Sequence, residues 1–84
     1  MNGRELGLRV GEIVRFRRRL DQRWREGSFV GVQRDGSIGL RDADGAFCAI
    51  VAEHIEARSV GPMGGATWEP LVARIARAEQ LELF

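Results

Sequence analysis

A mainly β domain of five short strands, followed by a linker and one C-terminal α-helix, is the fold class the sequence predicts. Three observations predict it. Between Val10 and Arg58, apolar residues recur at alternating positions in short runs broken by turn residues, the pattern of a small all-β domain. Asp35-Gly36 and Asp42-Ala43-Asp44-Gly45 supply two hairpin turns inside that stretch. Beyond Thr67 the period lengthens to that of a helix, with Trp68, Leu71, Val72 and Ile75 on one stripe and Arg74 and Arg77 largely opposite.

The first run places Val10, Val14, Phe16 and Leu20 inward and Arg15, Arg17 and Arg19 outward, a half-buried strand with a basic outer face. The second, Trp24 to Gln33, keeps Trp24, Val30 and Val32 on one side and Phe29 on the other, while Gly27 and Gly31 mark a bulge or strong bend. Asp35-Gly36 reads as a two-residue type I′ turn, which needs positive φ at both central positions. Ser37 to Arg41 is then a strand with Ile38 and Leu40 inward, and Ala46 to Val51, apolar on both faces, reads as a central one. Ala52-Glu53-His54 reads as one helical turn and Ile55 to Arg58 as a short closing strand.

Residues 1–58 thus form the β domain with its lead-in, and 59–66, rich in glycine with one proline, form a linker. A helix is expected over 67–79, with Thr67 as N-cap, Glu69 in the first turn and Pro70 tolerated there. Continuing its stripe brings Glu79 and Glu82 onto the apolar face. The packed helix is therefore expected to stop near Ala78, leaving 80–84 as a separate tail.

Composition bounds what such a chain can do. Its 84 residues make one small domain; at this size only roughly 60% of the unfolded surface is buried. A two-domain enzyme or a nucleotide-binding α/β fold is excluded. One cysteine and one histidine exclude a disulfide framework and a zinc site of Cys/His spacing, so no cofactor or metal is expected. The absence of any apolar run of roughly 18 to 20 residues, and of a signal-peptide start, predicts a cytoplasmic chain without membrane association. Net charge is +1, yet all 13 basic residues are arginine and unevenly placed. Residues 1–34 hold nine arginines against four acids and 35–84 hold four against eight, so the two parts carry +5 and −4.

Gly11-Glu12-Ile13-Val14-Arg15, Trp24, Asp35-Gly36-Ser37-Ile38 and Ala52-Glu53-His54-Ile55 together resemble the SH3-like, Tudor or KOW superfamily. The resemblance implies a five-stranded SH3-like barrel with one helical turn before its last strand. It speaks to fold more than to function. The opening is also similar to that of the type II dihydrofolate reductases, oligomeric cassette-encoded enzymes of the same fold. Their active surface is a Val-Gln-Ile-Tyr segment; here the corresponding stretch is Phe47-Cys48-Ala49-Ile50-Val51 and the chain has no tyrosine, so that activity is not expected.

Gln80-Leu81-Glu82-Leu83-Phe84 gathers three large hydrophobes with no periodicity that would bury them. The segment resembles the pentapeptide Gln-Leu-Ser/Asp-Leu-Phe through which bacterial replication and repair proteins bind the β sliding clamp, and four of its five positions match. The resemblance implies polar contacts from Gln80 at the pocket edge, Leu81 beside it, and Leu83 with Phe84 on the apolar floor. Such a motif tethers rather than catalyses. The alternative is that Leu81, Leu83 and Phe84 continue the helix and fold back over an open barrel end.

Arg15, Arg17, Arg18, Arg19, Arg23 and Arg25 crowd one hairpin, a basic strip suited to nucleic-acid phosphates. The alternative is a solvated strand face, with Phe16 and Trp24 in the core. Cys48, between Phe47 and Ala49, reads as a buried structural thiol, and His54 as a surface residue of the helical turn. No catalytic residues are assigned. The expected protein is a small non-enzymatic accessory factor of DNA replication or repair, of the kind mobile elements carry. It docks on the sliding clamp and brings a basic barrel near DNA or a partner protein. Its helix stripe packs on the barrel or forms a homo-oligomer interface, a choice the sequence leaves open.

Overall fold

The computed structural model describes residues 7–82, with side chains through Glu79. Its strands are β1 (Ile13–Phe16), β2 (Arg25–Val32), β3 (Ile38–Asp42), β4 (Phe47–Ile50), β5 (Ile55–Val60) and β6 (Ala66–Pro70). A single 3-10 turn, Ala52–His54, precedes β5, and helix α1 (Leu71–Glu82) comes after β6. The strands form one open sheet in the order β4-β3-β2-β1-β5-β6, with every pairing antiparallel. The mainly β class and the C-terminal helix are as expected; the strands number six rather than five.

Alternation sorts β1 as expected at its centre, where Val14 and Phe16 are 0% and 2% exposed. It fails beyond the strand ends. Val10 and Leu20, expected inward, are 79% and 70% exposed. Tight turns, closed by hydrogen bonds from Glu12 N to Arg9 O and from Gln22 N to Arg19 O, break the two-residue period on either side. In β2 the expected bulge lies between Phe29 and Gly31. It resets the alternation, so Phe29, facing Leu40, and Val32, facing Ile38, both turn to the core although three residues apart. Phe29 is 1% exposed, which corrects the expectation that it lies opposite Val32.

The loops joining β2 to β3, β3 to β4 and β5 to β6 share one geometry. In each, three residues close between paired backbone hydrogen bonds: Arg34-Asp35-Gly36 between Gln33 and Ser37, Ala43-Asp44-Gly45 between Asp42 and Ala46, and Pro62-Met63-Gly64 between Gly61 and Gly65. The third loop residue is a glycine with φ of +83° to +89°, the left-handed position that ends a type I turn in such loops. No other residue type in the described chain takes positive φ, so Asp35-Gly36 is not the type I′ turn expected. Asp35 adds a side-chain lock by accepting from the Ser37 amide and hydroxyl, which together hold its carboxyl below the ordinary range.

The third of these loops replaces the expected linker. Pro62 suits the first central position of a type I turn and Gly64 the left-handed one, so the glycine-rich stretch joins β5 to β6. Thr67, expected as a helix cap, pairs with Ser59, and Trp68 pairs with Arg58. Pro70 ends an edge strand, where its missing N–H removes no ladder bond. The helix begins only at Leu71 and runs through Glu82, past the expected stop at Ala78. Ala76, Ala78, Glu79, Gln80 and Leu81 are good helix formers and continue the coil after its docking face ends. Gln80, Leu81 and Glu82 therefore belong to α1, while Leu83 and Phe84 lie outside the described residues.

One core binds these elements. β1 to β5 contribute Val14, Phe16, Phe29, Ile38, Leu40, Ile50, Ile55 and Ala57; Leu8 and Leu71 cover them from outside the sheet. Each large side chain so buried stabilises the fold by about 1.5 to 3 kcal/mol relative to exposure. Leu71 is fully buried and Ile75 packs beside it, whereas Val72, expected on the same stripe, is 44% exposed. Of the expected stripe, Leu71 and Ile75 pack on the sheet, Val72 does not, and Trp68 belongs to β6 instead.

Candidate functional site

Opposite the core, the outer sheet face centres on Arg15. Strand register sets it between Glu26 of β2 and Glu56 of β5. Its Nε donates to Glu56 Oε1 at 2.6 Å. The guanidinium carbon lies 4.5 Å from the centre of the Trp24 ring and 5.0 Å from that of Trp68. Trp24 is half-buried in this stack, not in the core where the solvated-face alternative puts it. Cation–π contacts of this kind contribute about 0.5 to 1 kcal/mol at exposed sites and more when desolvated. Arg15 is thereby a structural cation, paired and sandwiched. Nothing in the linear pattern marked Trp68 as its partner, because the β5–β6 pairing that delivers it lies across the stretch read as a linker.

The other five arginines of the strip divide along the chain. Arg25 lies 3.4 Å from Asp42, whose other oxygen accepts from the amides of Asp44 and Ala46. Arg17, Arg18, Arg19 and Arg23 belong to the loop between β1 and β2, residues 17–24. There Arg19 meets Asp21 at 3.4 Å, with both side chains more than 70% exposed, an arrangement that contributes little in water. Arg17 lies over Trp24 at 4.1 Å, and its buried Nε meets no hydrogen-bond acceptor among the described residues. Among the described residues, Arg17, Arg18 and Arg23 have no carboxylate partner.

A second polar cluster fastens α1 to the sheet. Arg74, with only 12% of its side chain exposed, donates to Glu12 at 2.8 Å and to the carbonyls of Arg58 and Gly7 at 3.1 and 3.4 Å. Arg77 grips both oxygens of Glu69, at 2.6 and 3.1 Å. The hydrogen bond from Arg77, with the charges of Arg77 and Arg74, holds the Glu69 carboxyl below the ordinary carboxylate range against a smaller opposing effect of burial. These contacts also orient the helix. It starts beside Glu56, at the Phe16 end of β1, and by Arg74 and Ala78 it has reached Glu12 and Gly7 at the other end. The described end of α1 therefore lies at the end of the sheet opposite the arginine loop. Of the residues expected to bind a clamp, Gln80 and Leu81 lie in α1, and Leu83 and Phe84 fall outside the described residues.

Cys48 is half-buried against the core, and burial pushes its thiol up, with Arg18 only partly offsetting this. That is the opposite of an activated nucleophile. His54 is half-buried in the 3-10 turn, where its carbonyl accepts from Arg17 N at 3.2 Å. Among the described residues no three His, Cys, Asp or Glu side chains gather to hold a metal ion, and no helix is long and apolar enough to cross a membrane. Comparison with protein-family models, with curated proteins and with solved structures finds no match for this chain.

Proposed function

We propose that this chain is a small non-enzymatic accessory protein that docks on the bacterial DNA sliding clamp through Gln80, Leu81, Leu83 and Phe84. Its sheet then works beside DNA or a replication or repair partner. The observation that carries the reading is the segment Gln80-Leu81-Glu82-Leu83-Phe84, with clamp-type residues at four of its five positions. Its setting supports the reading. Leu71, Ile75 and Arg74 fasten α1 to the sheet and Glu79 is already exposed, so the helix is a rigid stem for the clamp-type residues at its end. The final turn of a helix opens at least cost, because its last carbonyls lack intrahelical donors; helical Gln80 to Glu82 are thus no barrier to seating in a groove.

The finer fold reading is an SH3-like barrel over β1 to β5. It is supported by the meander from β1 to β4, the single 3-10 turn, and the return of β5 to the free side of β1. A second functional reading, a nucleic-acid-binding module with a purely structural C-terminus, is favoured by the continuation of α1 through Glu82.

Titration of purified clamp with the intact protein and with a Leu83→Ala, Phe84→Ala variant separates the two. Loss of both anchors lowers affinity by at least about 30-fold, the effect of removing about 2 kcal/mol of apolar contact at a hot spot. Equal binding by the two forms, or binding by neither, removes the tethering function and leaves the second reading.

A further inference from the structure

We infer that the loop at residues 17–24 is a binding site for the phosphate backbone of duplex DNA, built from Arg17, Arg18, Arg19 and Arg23 and not from the whole arginine strip. The inference deepens the accessory-protein reading, and rests on it for the setting beside DNA, by naming what the sheet end meets.

Internal pairing is the first ground. Arg15 is committed to Glu56 and to two indole rings, and Arg25 is beside Asp42. By contrast, Arg18 and Arg23 are exposed and meet no carboxylate among the described residues, and the only acid of the loop, Asp21, makes a solvent-exposed contact with Arg19. The loop thus gathers four guanidinium groups against one carboxylate at a single end of the sheet. A charge of that density in a short loop favours a ligand with closely spaced anions.

Preorganisation is the second ground. Arg17 is held on Trp24, its backbone N–H is tied to His54, and its buried Nε has found no acceptor among the described residues. A guanidinium fixed in this way loses less side-chain freedom on meeting a phosphate than a free one does.

The aromatic residues decide between duplex and single strand. Single-strand sites combine cations with rings on which bases stack. Here Trp24 carries guanidinium groups of both Arg15 and Arg17 within 4.5 Å of its centre, and Phe16 is 2% exposed. The rings nearest the loop are occupied or buried, so recognition falls to the backbone and is indifferent to sequence.

Fluorescence anisotropy with a labelled duplex of about 20 base pairs, titrated with the full chain and no clamp, tests the site. Log affinity against log salt should fall with a slope of about −2.7 to −3.6, at about −0.9 for each of three or four neutralised phosphates. The exposed substitutions Arg18→Ala, Arg19→Ala and Arg23→Ala, combined, should lower affinity at low salt at least tenfold and bring the slope near about −1. The corresponding triple lysine variant, which keeps the charge, should retain most of the binding. Circular dichroism and thermal melting establish that the alanine variant is folded. Equal affinity of wild type and alanine variant overturns the inference, as does tighter binding of a single strand of the same length. Displacement of the duplex by poly-glutamate of equal charge also overturns it, and assigns the loop to acidic proteins. Because the clamp is absent, failure here leaves docking through Leu83 and Phe84 standing, and failure of that docking leaves this measurement unaffected.

Discussion

At Gly27 the sheet leaves no room for a side chain. A Cβ there would come within 2.5 Å of the Arg41 carbonyl oxygen, a backbone atom of the neighbouring strand, and 3.0 Å of the Phe16 ring. Gly27→Ala must therefore part β2 from β3 or displace a core ring, and should destabilise the fold by about 1 to 3 kcal/mol, the usual penalty of overpacking. A fall in the urea midpoint with unchanged slope is the expected result; an unchanged midpoint refutes the close approach. Single residues were legible where regular alternation held, as for Val14 and Phe16. They were not where a bulge reset the count, which is why Phe29 reads as outward in the linear pattern and is buried in the fold. Arg15 reads as one arginine of a strip; its pairing with Glu56, 41 residues away, exists only once β5 lies beside β1.

Among the elements, β6 and α1 are coupled through Glu69. Its carboxyl titrates below its ordinary value near 4.5 because Arg77 and Arg74 stabilise the charged form. The stability it contributes is complete above that unfolded-state value and is lost as pH falls through the lower folded-state value. Thermal melts between about pH 6 and pH 3 should therefore show a steeper acid decline in the wild type than in Glu69→Gln, which has no charge to lose. Parallel curves would show that the Arg77 contact does not couple strand to helix. Elements bounded by Asp-Gly turns, β3 and β4, were readable in sequence, as was the turn at Ala52–His54, but β4, expected to be central, is an edge strand with only Ile50 fully buried. β6 was not, since Gly61-Pro62-Met63-Gly64-Gly65 suits both an unstructured linker and a tight hairpin. The choice is made by Ala66 to Pro70 finding the free edge of β5.

Over the whole molecule, α1 crosses from the Phe16 end of β1 toward the Glu12 end, so the arginine loop and the described end of α1 lie at opposite ends of the sheet. If the proposed partners bind at these two places, they should not compete for surface. With DNA bound at saturation, the affinity for the clamp should stay within about twofold of its value without DNA, well under the 1.4 kcal/mol of a tenfold change. A tenfold weakening would mean that the two surfaces overlap. The charge asymmetry has a related arrangement: the loop, with four arginines against one acid, holds +3 of the +5 of residues 1–34, whereas several acids of 35–84 are consumed in holding arginines of the sheet and helix.

The sequence by itself determined the mainly β class, the strands around Val14, Ile38 and Ile55, and the hairpins at Asp35 and Asp42. These depend on local periodicity, turn chemistry and contiguous residues, all of which survive in one dimension. Only the tertiary structure decided that β5 lies beside β1, that a sixth strand replaces the linker, and that Arg15 pairs with Glu56 while Arg17, Arg18 and Arg23 meet no carboxylate among the described residues. Each of those outcomes depends on which unpaired edge or carboxylate lies nearest in space, a quantity that short-range sequence patterns do not carry.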